Sequence, residues 1–147
     1  MKTKLLLLTT LLALGFQFTT AASQTLNVTI KNLKFSSKGI IRIAFFVDEK
    51  GFKEENDLFT VNIEKSKIQN GQVNVEIPVK AGIYGLSVID DENANGKMEY
   101  NLLGIPKEGF GFSNFCLRKM RKPRFNDFSF AVADKEVKDI QVKMRYF

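Results

Sequence analysis

VNVEIPVKAGIYGLSVIDDENANG, residues 73–96, alternates apolar and polar side chains through two runs and then closes on a cluster of acids and amides. In the first run Val73, Val75, Ile77 and Val79 alternate with Asn74, Glu76, Pro78 and Lys80; in the second, Tyr84, Leu86 and Val88 alternate with Gly85 and Ser87. A period of two places one set of side chains on each face of a strand, so both runs read as strands that bury one face. Ala81-Gly82 supplies the turn between them. Pro78 has no amide hydrogen to give to a ladder, which sends its strand to an edge or a bulge.

The same period recurs on either side. Leu26, Val28 and Ile30 form one set, Phe59, Val61 and Ile63 another, Phe128, Phe130 and Val132 a third, and Ile140, Val142, Met144 and Tyr146 the last. Ile41, Ile43, Phe45 and Val47 differ in having Ile40, Ala44 and Phe46 on the opposite face, so this strand is expected to be central and covered on both sides. Gly39 and Asn70-Gly71 mark further turns, and only residues 51–58 suggest a helical turn. Seven such strands without a long amphipathic helix predict an all-β fold, a seven-stranded antiparallel β-sandwich of immunoglobulin-like or transthyretin-like type, with a small β-barrel as the alternative.

The first residues read as an address. Lys2 and Lys4 precede an apolar run from Leu5 to Phe16, and small residues, Thr20-Ala21-Ala22-Ser23, follow. A run this short with no basic stop is a poor membrane span, so residues 1–23 are expected to be a cleaved signal peptide and residues 24–147 a single exported domain, secreted or periplasmic. Lys2 and Lys4 account for two units of the formal net charge of +6. Part of the positive charge of the remaining chain gathers in Arg118, Lys119, Arg121, Lys122 and Arg124, either a solvated loop or a surface for anionic envelope polysaccharide, lipid headgroups or another exported protein. Export and the lack of an alternating aromatic platform disfavour nucleic acid. Cys116, alone, allows no internal disulfide and is expected to be buried.

Residues 90–114, DDENANGKMEYNLLGIPKEGFGFSN, hold the unusual chemistry. Asp91, Asn93 and Asn95 stand at alternate positions and Gly96 follows, the start of a calcium loop, in which Lys97 would offer its carbonyl. The bidentate glutamate that closes such loops is missing, since that position is Leu102; Asp90 and Glu99 are the nearest substitutes. Asn95-Gly96 also suits a two-residue hairpin turn capped by Asx side chains, without metal, and both readings stand at this point. Farther on, Phe110, Phe112 and Phe115 among glycines either cover an open end of the sandwich or present rings to a ligand. No histidine occurs, which removes the usual general base and the commonest zinc ligand. A carboxylate pair, Glu108 with Asp91, acting on an envelope glycan is the catalytic alternative to a binding or structural module, and carriage of an apolar ligand between the sheets is a third reading.

The run from Gly82 to Asn114, with its G-x-Y strand, its D-D-x-N-x-N-G turn and its G-I-P-x-E-x-x-G-F-S-N segment, resembles the family of exported bacterial proteins termed domain of unknown function twenty-one forty-one. The resemblance implies a small exported β-sandwich in which the Asp91, Asn93, Asn95 and Gly96 segment lies against Gly104, Pro106, Glu108, Gly111, Phe112, Ser113 and Asn114. Glu108, Phe110, Phe112, Ser113 and Asn114 are accordingly the candidate binding residues. Where the family pattern has histidine or aspartate, this chain has Asp90.

Overall fold

The structure, a computed structural model, describes residues 24–147 apart from Phe35, Ser37 and residues 118–120. The expected leader and Arg118 and Lys119 of the basic run therefore lie outside the described residues. Among the described residues eight strands and two short α-helices follow one another as β1 (Gln24–Lys31), β2 (Ile40–Phe46), α1 (Glu49–Glu54), β3 (Phe59–Glu64), β4 (Gln72–Val79), β5 (Gly82–Asp91), β6 (Gly109–Phe112), α2 (Phe125–Phe128), β7 (Ser129–Val132) and β8 (Val137–Lys143). They form two sheets, three-stranded β4-β1-β8 and five-stranded β3-β2-β5-β6 with β7 also on β5, and the sandwich is not closed into a barrel.

Seven of the strands overlap the runs that the period-two pattern predicts, although Phe128 falls in α2 just before β7 and β2 stops short of Val47. On β1, Leu26, Val28 and Ile30 point inward, and Val28 stands between Val75 of β4 and Ile140 of β8. The inner faces of the two sheets meet through Ile41, Ile43 and Phe45 of β2, Leu86 and Val88 of β5, and Val142, all essentially without solvent contact. β2 is interior and covered on both faces, and Pro78 sits on β4, an edge strand, as the pattern implied. Asn70 and Gly71 both take positive φ, and Gln69 and Gln72 exchange both backbone hydrogen bonds across them, a two-residue hairpin.

Three features depart from expectation. An eighth strand, β6, arises from the glycine-phenylalanine segment, because a chain that alternates Gly with Phe offers a bare face and a bulky face and pairs with β5 from Ser87 to Asp90. β1 and β8 run parallel, so the sandwich is not wholly antiparallel. Cys116 is exposed rather than buried, since the chain leaves the sheet just after β6.

β5 is the organising strand. β2 flanks it on one side, while β7 and β6 lie end to end on the other, pairing with its first and second halves. Its inward set of Tyr84, Leu86 and Val88 continues to Asp90, which is completely buried. Asp90 is held by the ammonium of Lys65, from the 3₁₀ turn after β3, and by the hydroxyl of Tyr146, which donates to Oδ2 at 2.7 Å. Apart from each other, Lys65 Nζ and Asp90 Oδ1 have no partner among the described residues. Burial pushes the Tyr146 phenol well above its ordinary range, and the neighbouring Asp90 carboxylate adds to this, so the hydroxyl stays a donor.

Removing one member of a buried ion pair strands the other, at a cost of about 3–5 kcal/mol, whereas replacing both by apolar groups is often neutral. Lys65→Met should therefore lower the unfolding free energy by about 3–5 kcal/mol in urea titrations, and adding Asp90→Leu should recover most of that loss. A double variant as unstable as the single one would assign the loss to packing around the Lys65 stem instead.

Candidate functional site

The five-stranded sheet has a second apolar face, turned away from the sandwich core. Register brings its residues into cross-strand rows: Arg42, Ile89 and Phe110 in one, Ala44, Ser87 and Phe112 in the next, Phe46 and Gly85 in the third. Two small side chains, Ala44 and Ser87, sit in the middle row among bulky neighbours, which leaves a hollow in the floor. At Gly85 a Cβ would fall 2.5 Å from the Phe128 ring, so glycine lets α2 rest directly on the sheet.

A roof closes over part of this floor. α1 starts at Asp48, whose carboxylate accepts the Gly51 amide at 2.7 Å, and it drives Phe52 down onto Phe46, Phe112 and Phe128, with centroids 5.4, 5.9 and 4.8 Å away. α2 starts where Asp127 accepts the Arg124 amide at 2.9 Å, and it buries Phe125 and Phe128. The two helices are tied by Glu49, whose Oε2 accepts the Phe125 amide at 2.6 Å. Edge-on ring pairs of this kind add about 0.5–1.5 kcal/mol each beyond area burial, so the roof is fixed largely by phenylalanines.

Between floor, roof and the 96–106 loop remains a cavity of about 530 Å³, within the size range of small-molecule sites. Ala44, Ile89, Met98, Phe110, Phe112 and Leu117 give it an apolar body. Its charged margin holds Arg42, Lys97, Arg121 and Lys122 against Glu55 and Asp57. Arg42 lies 3.6 Å from Asp57; Lys97, Arg121 and Lys122 form no ion pair among the described residues, but Lys122 is engaged at Phe52, 4.7 Å over its ring and donating to its carbonyl, which leaves Lys97 and Arg121 as the less engaged cations.

The Asp/Asn loop forms one wall of the cavity. Alternation puts Asp91 on the face opposite Asp90, and its carboxylate accepts the amides of Asn95 at 3.1 Å and Gly96 at 2.7 Å. Asn93 Oδ1 accepts the Asn95 amide at 3.1 Å, Asn95 Oδ1 the Lys97 amide at 2.8 Å, and Asn95 Nδ2 donates to Glu99. The expected two-residue hairpin at Asn95-Gly96 does not form; positive φ falls at Ala94 and Gly96, and the chain wraps around the Asp91 carboxylate instead. Asn101 then organises a small hairpin, its Oδ1 taking the amides of Leu103 and Ile105, and leaves Leu102 and Leu103 exposed at the tip. Glu108, on the returning arm, is buried and accepts the Glu92 amide at 3.1 Å. Burial raises its carboxyl above the ordinary range, and the Asp91 and Glu99 carboxylates add to the shift.

Of the candidate binding residues, Phe110 and Phe112 line the cavity, whereas Glu108, Ser113 and Asn114 do not. Ser113 Oγ accepts the Leu86 amide at 2.9 Å and donates to the Phe128 carbonyl at 2.6 Å, which fastens α2 to β5. Asn114 exchanges hydrogen bonds with the Gln141 backbone and so joins the end of β6 to β8. Asp90 cannot share a cation with Asp91, because the two project from opposite faces and Asp90 already holds Lys65. Among the described residues no three Asp, Glu, His or Cys side chains converge as a metal cluster. The space between the sheets, where an apolar ligand was one expectation, is filled by the core side chains. Sequence reasoning missed Arg42, Glu49 and Phe52. The charge within IIRIAFF was the available signal for Arg42, since a charged side chain in a doubly covered strand needs something to face.

Glu49 makes the roof sensitive to acid. The hydrogen bond it accepts from the Phe125 amide, with Lys53 beside it, lowers its carboxyl below the usual 4.5. Lowering favours the folded state above the unfolded value and is lost as pH falls through the folded one. The stability difference between wild type and Glu49→Gln should therefore be constant above pH 4.5 and shrink below it in denaturation series. A difference that does not change with pH would remove the carboxylate from this role.

No helix among the described residues is long and apolar enough to cross a membrane. No curated protein and no solved structure matches the chain. A family match does exist, over residues 28–141, from inside β1 to inside β8, and takes in the β5 strand, the Asp/Asn loop and β6 together. The chain therefore belongs to the family described as uncharacterized protein conserved in bacteria (DUF2141).

Proposed function

We propose that this protein is an exported, non-catalytic binding module that takes an amphiphile with an anionic head, such as a fatty-acid-like molecule, on the outer face of its five-stranded sheet. The observation that carries the reading is the cavity of about 530 Å³ over Ala44 and Ser87, apolar in its body and edged by Lys97 and Arg121. An apolar hollow gains about 0.8 kcal/mol per buried methylene, while the two cations favour a carboxylate or sulfonate head over a neutral one. The leader-like residues 1–23 support export to a compartment where such molecules meet the envelope.

A carboxylate-dependent hydrolase is the weaker reading. Its two carboxylates, Asp91 and Glu108, are absent from the cavity lining, and both accept backbone amides, Asp91 through both oxygens and Glu108 through one. Glu55 and Asp57 do reach the margin, but Asp57 faces Arg42.

Calorimetric titration with dodecanoate should give a Kd on the order of 1–100 µM, with dodecanol at least about tenfold weaker. Ala44→Leu, which fills the hollow from its floor, should abolish binding of both. The double change Lys97→Glu with Arg121→Glu should erase the preference for the acid. No binding near millimolar dodecanoate, or binding that ignores Ala44→Leu, would sink the proposal.

A further inference from the structure

The Asp91 loop and Glu108 present a second problem that the cavity does not answer. Glu108 is 6% exposed, and its Oε2 has no hydrogen-bond partner among the described residues. Its other oxygen holds the amide of Glu92, the residue next to Asp91, so two buried carboxylates stand at the base of one loop. Like charges placed together out of water are unfavourable, and an unpartnered buried carboxylate oxygen more so. Each carboxylate oxygen has two acceptor directions, so the hydrogen bonds that Asp91 accepts from two backbone amides do not exhaust it.

We propose that a calcium ion is held between the carboxylates of Asp91 and Glu108, with Asn93 Oδ1 and carbonyls of the loop among its neutral oxygen ligands. Glu108, from the returning arm, thus supplies the second carboxylate that the Asp/Asn run lacks within its own span. Calcium suits this set because it accepts carboxylate, amide and carbonyl oxygens in flexible geometry; zinc would want the nitrogen and sulfur ligands that are missing here. With only two carboxylates, affinity belongs to the range of extracellular modules, roughly 10⁻⁴ to 10⁻³ M. The ion neutralises Glu108 and Asp91 together and pins the base of the loop whose far side, Gly96 to Met98, walls the cavity. This inference does not depend on which molecule the cavity takes.

The test is a thermal melt of the purified protein in chelator, in about 5 mM calcium and in equal magnesium, together with calorimetric titration of calcium. Wild type should gain about 3–8 °C with calcium, should gain little with magnesium, and should titrate as one site per chain. Glu108→Gln, which keeps an oxygen for the Glu92 amide, should melt as a folded protein in chelator and gain nothing from calcium. Asn93→Ala should weaken the titration several-fold and serves as the second variant if Glu108→Gln does not fold. A wild type without calcium heat or shift, an equal shift with magnesium, or a full shift in Glu108→Gln would overturn the proposal.

Discussion

Two adjacent carboxylates buried on opposite faces of one strand set most of this structure. Strand geometry sends Asp90 into the space between the sheets and Asp91 to the outer face, and neither can be left alone there. Asp90 requires a cation and a donor, which fixes Lys65 at the end of β3 and Tyr146 near the C-terminus. Asp91 requires donors of another kind and finds them in the amides of Asn95 and Gly96, so the chain must turn around it. One strand end thus dictates a core ion pair and the shape of a surface loop.

The outer face follows from side-chain size rather than charge. In the rows across β2, β5 and β6, phenylalanines stand at the rim while alanine, serine and glycine occupy the middle. Two short helices then bring Phe52, Phe125 and Phe128 over that surface. Helices this short have little stability of their own and persist because their aromatic faces are buried. The roof therefore depends on the same rings that line the hollow, and the Glu49 contact with Phe125 keeps its two halves together.

Much of the fold was legible because period-two alternation is a direct imprint of a half-buried strand. The edge placement of Pro78, the central place of β2 and the delivery of the loop by β5 all followed from single residues. β6 was hidden because Gly109-Phe110-Gly111-Phe112 has alternation of bulk rather than polarity. The parallel pairing of β1 with β8 carries no local signal, since register depends on the whole topology. Phe110 and Phe112 were legible as exposed-looking rings, yet the hollow was not, because it arises from the juxtaposition of Ala44 and Ser87 across register. Lys65 was invisible as a core residue: it stands inside the polar run Glu64-Lys65-Ser66-Lys67 and is buried only because Asp90 is there to meet it.

The alternation of glycine and phenylalanine in β6 explains why the core and the outer face are not independent. On its glycine side the strand is approached so closely that a Cβ at Gly109 would fall 2.1 Å from the Tyr146 ring, and one at Gly111 would fall 2.6 Å from Val142. On its other side Phe110 and Phe112 form the floor of the cavity. Tyr146 is the residue that donates to Asp90, and Phe110 pairs through its backbone with Arg145, one residue away. A side chain at Gly109 would displace Tyr146 from Asp90 and push β6, with its two rings, away from the C-terminal segment. The bare face of one four-residue strand is thus what lets a buried carboxylate in the core and an aromatic floor outside share the same position in the sheet.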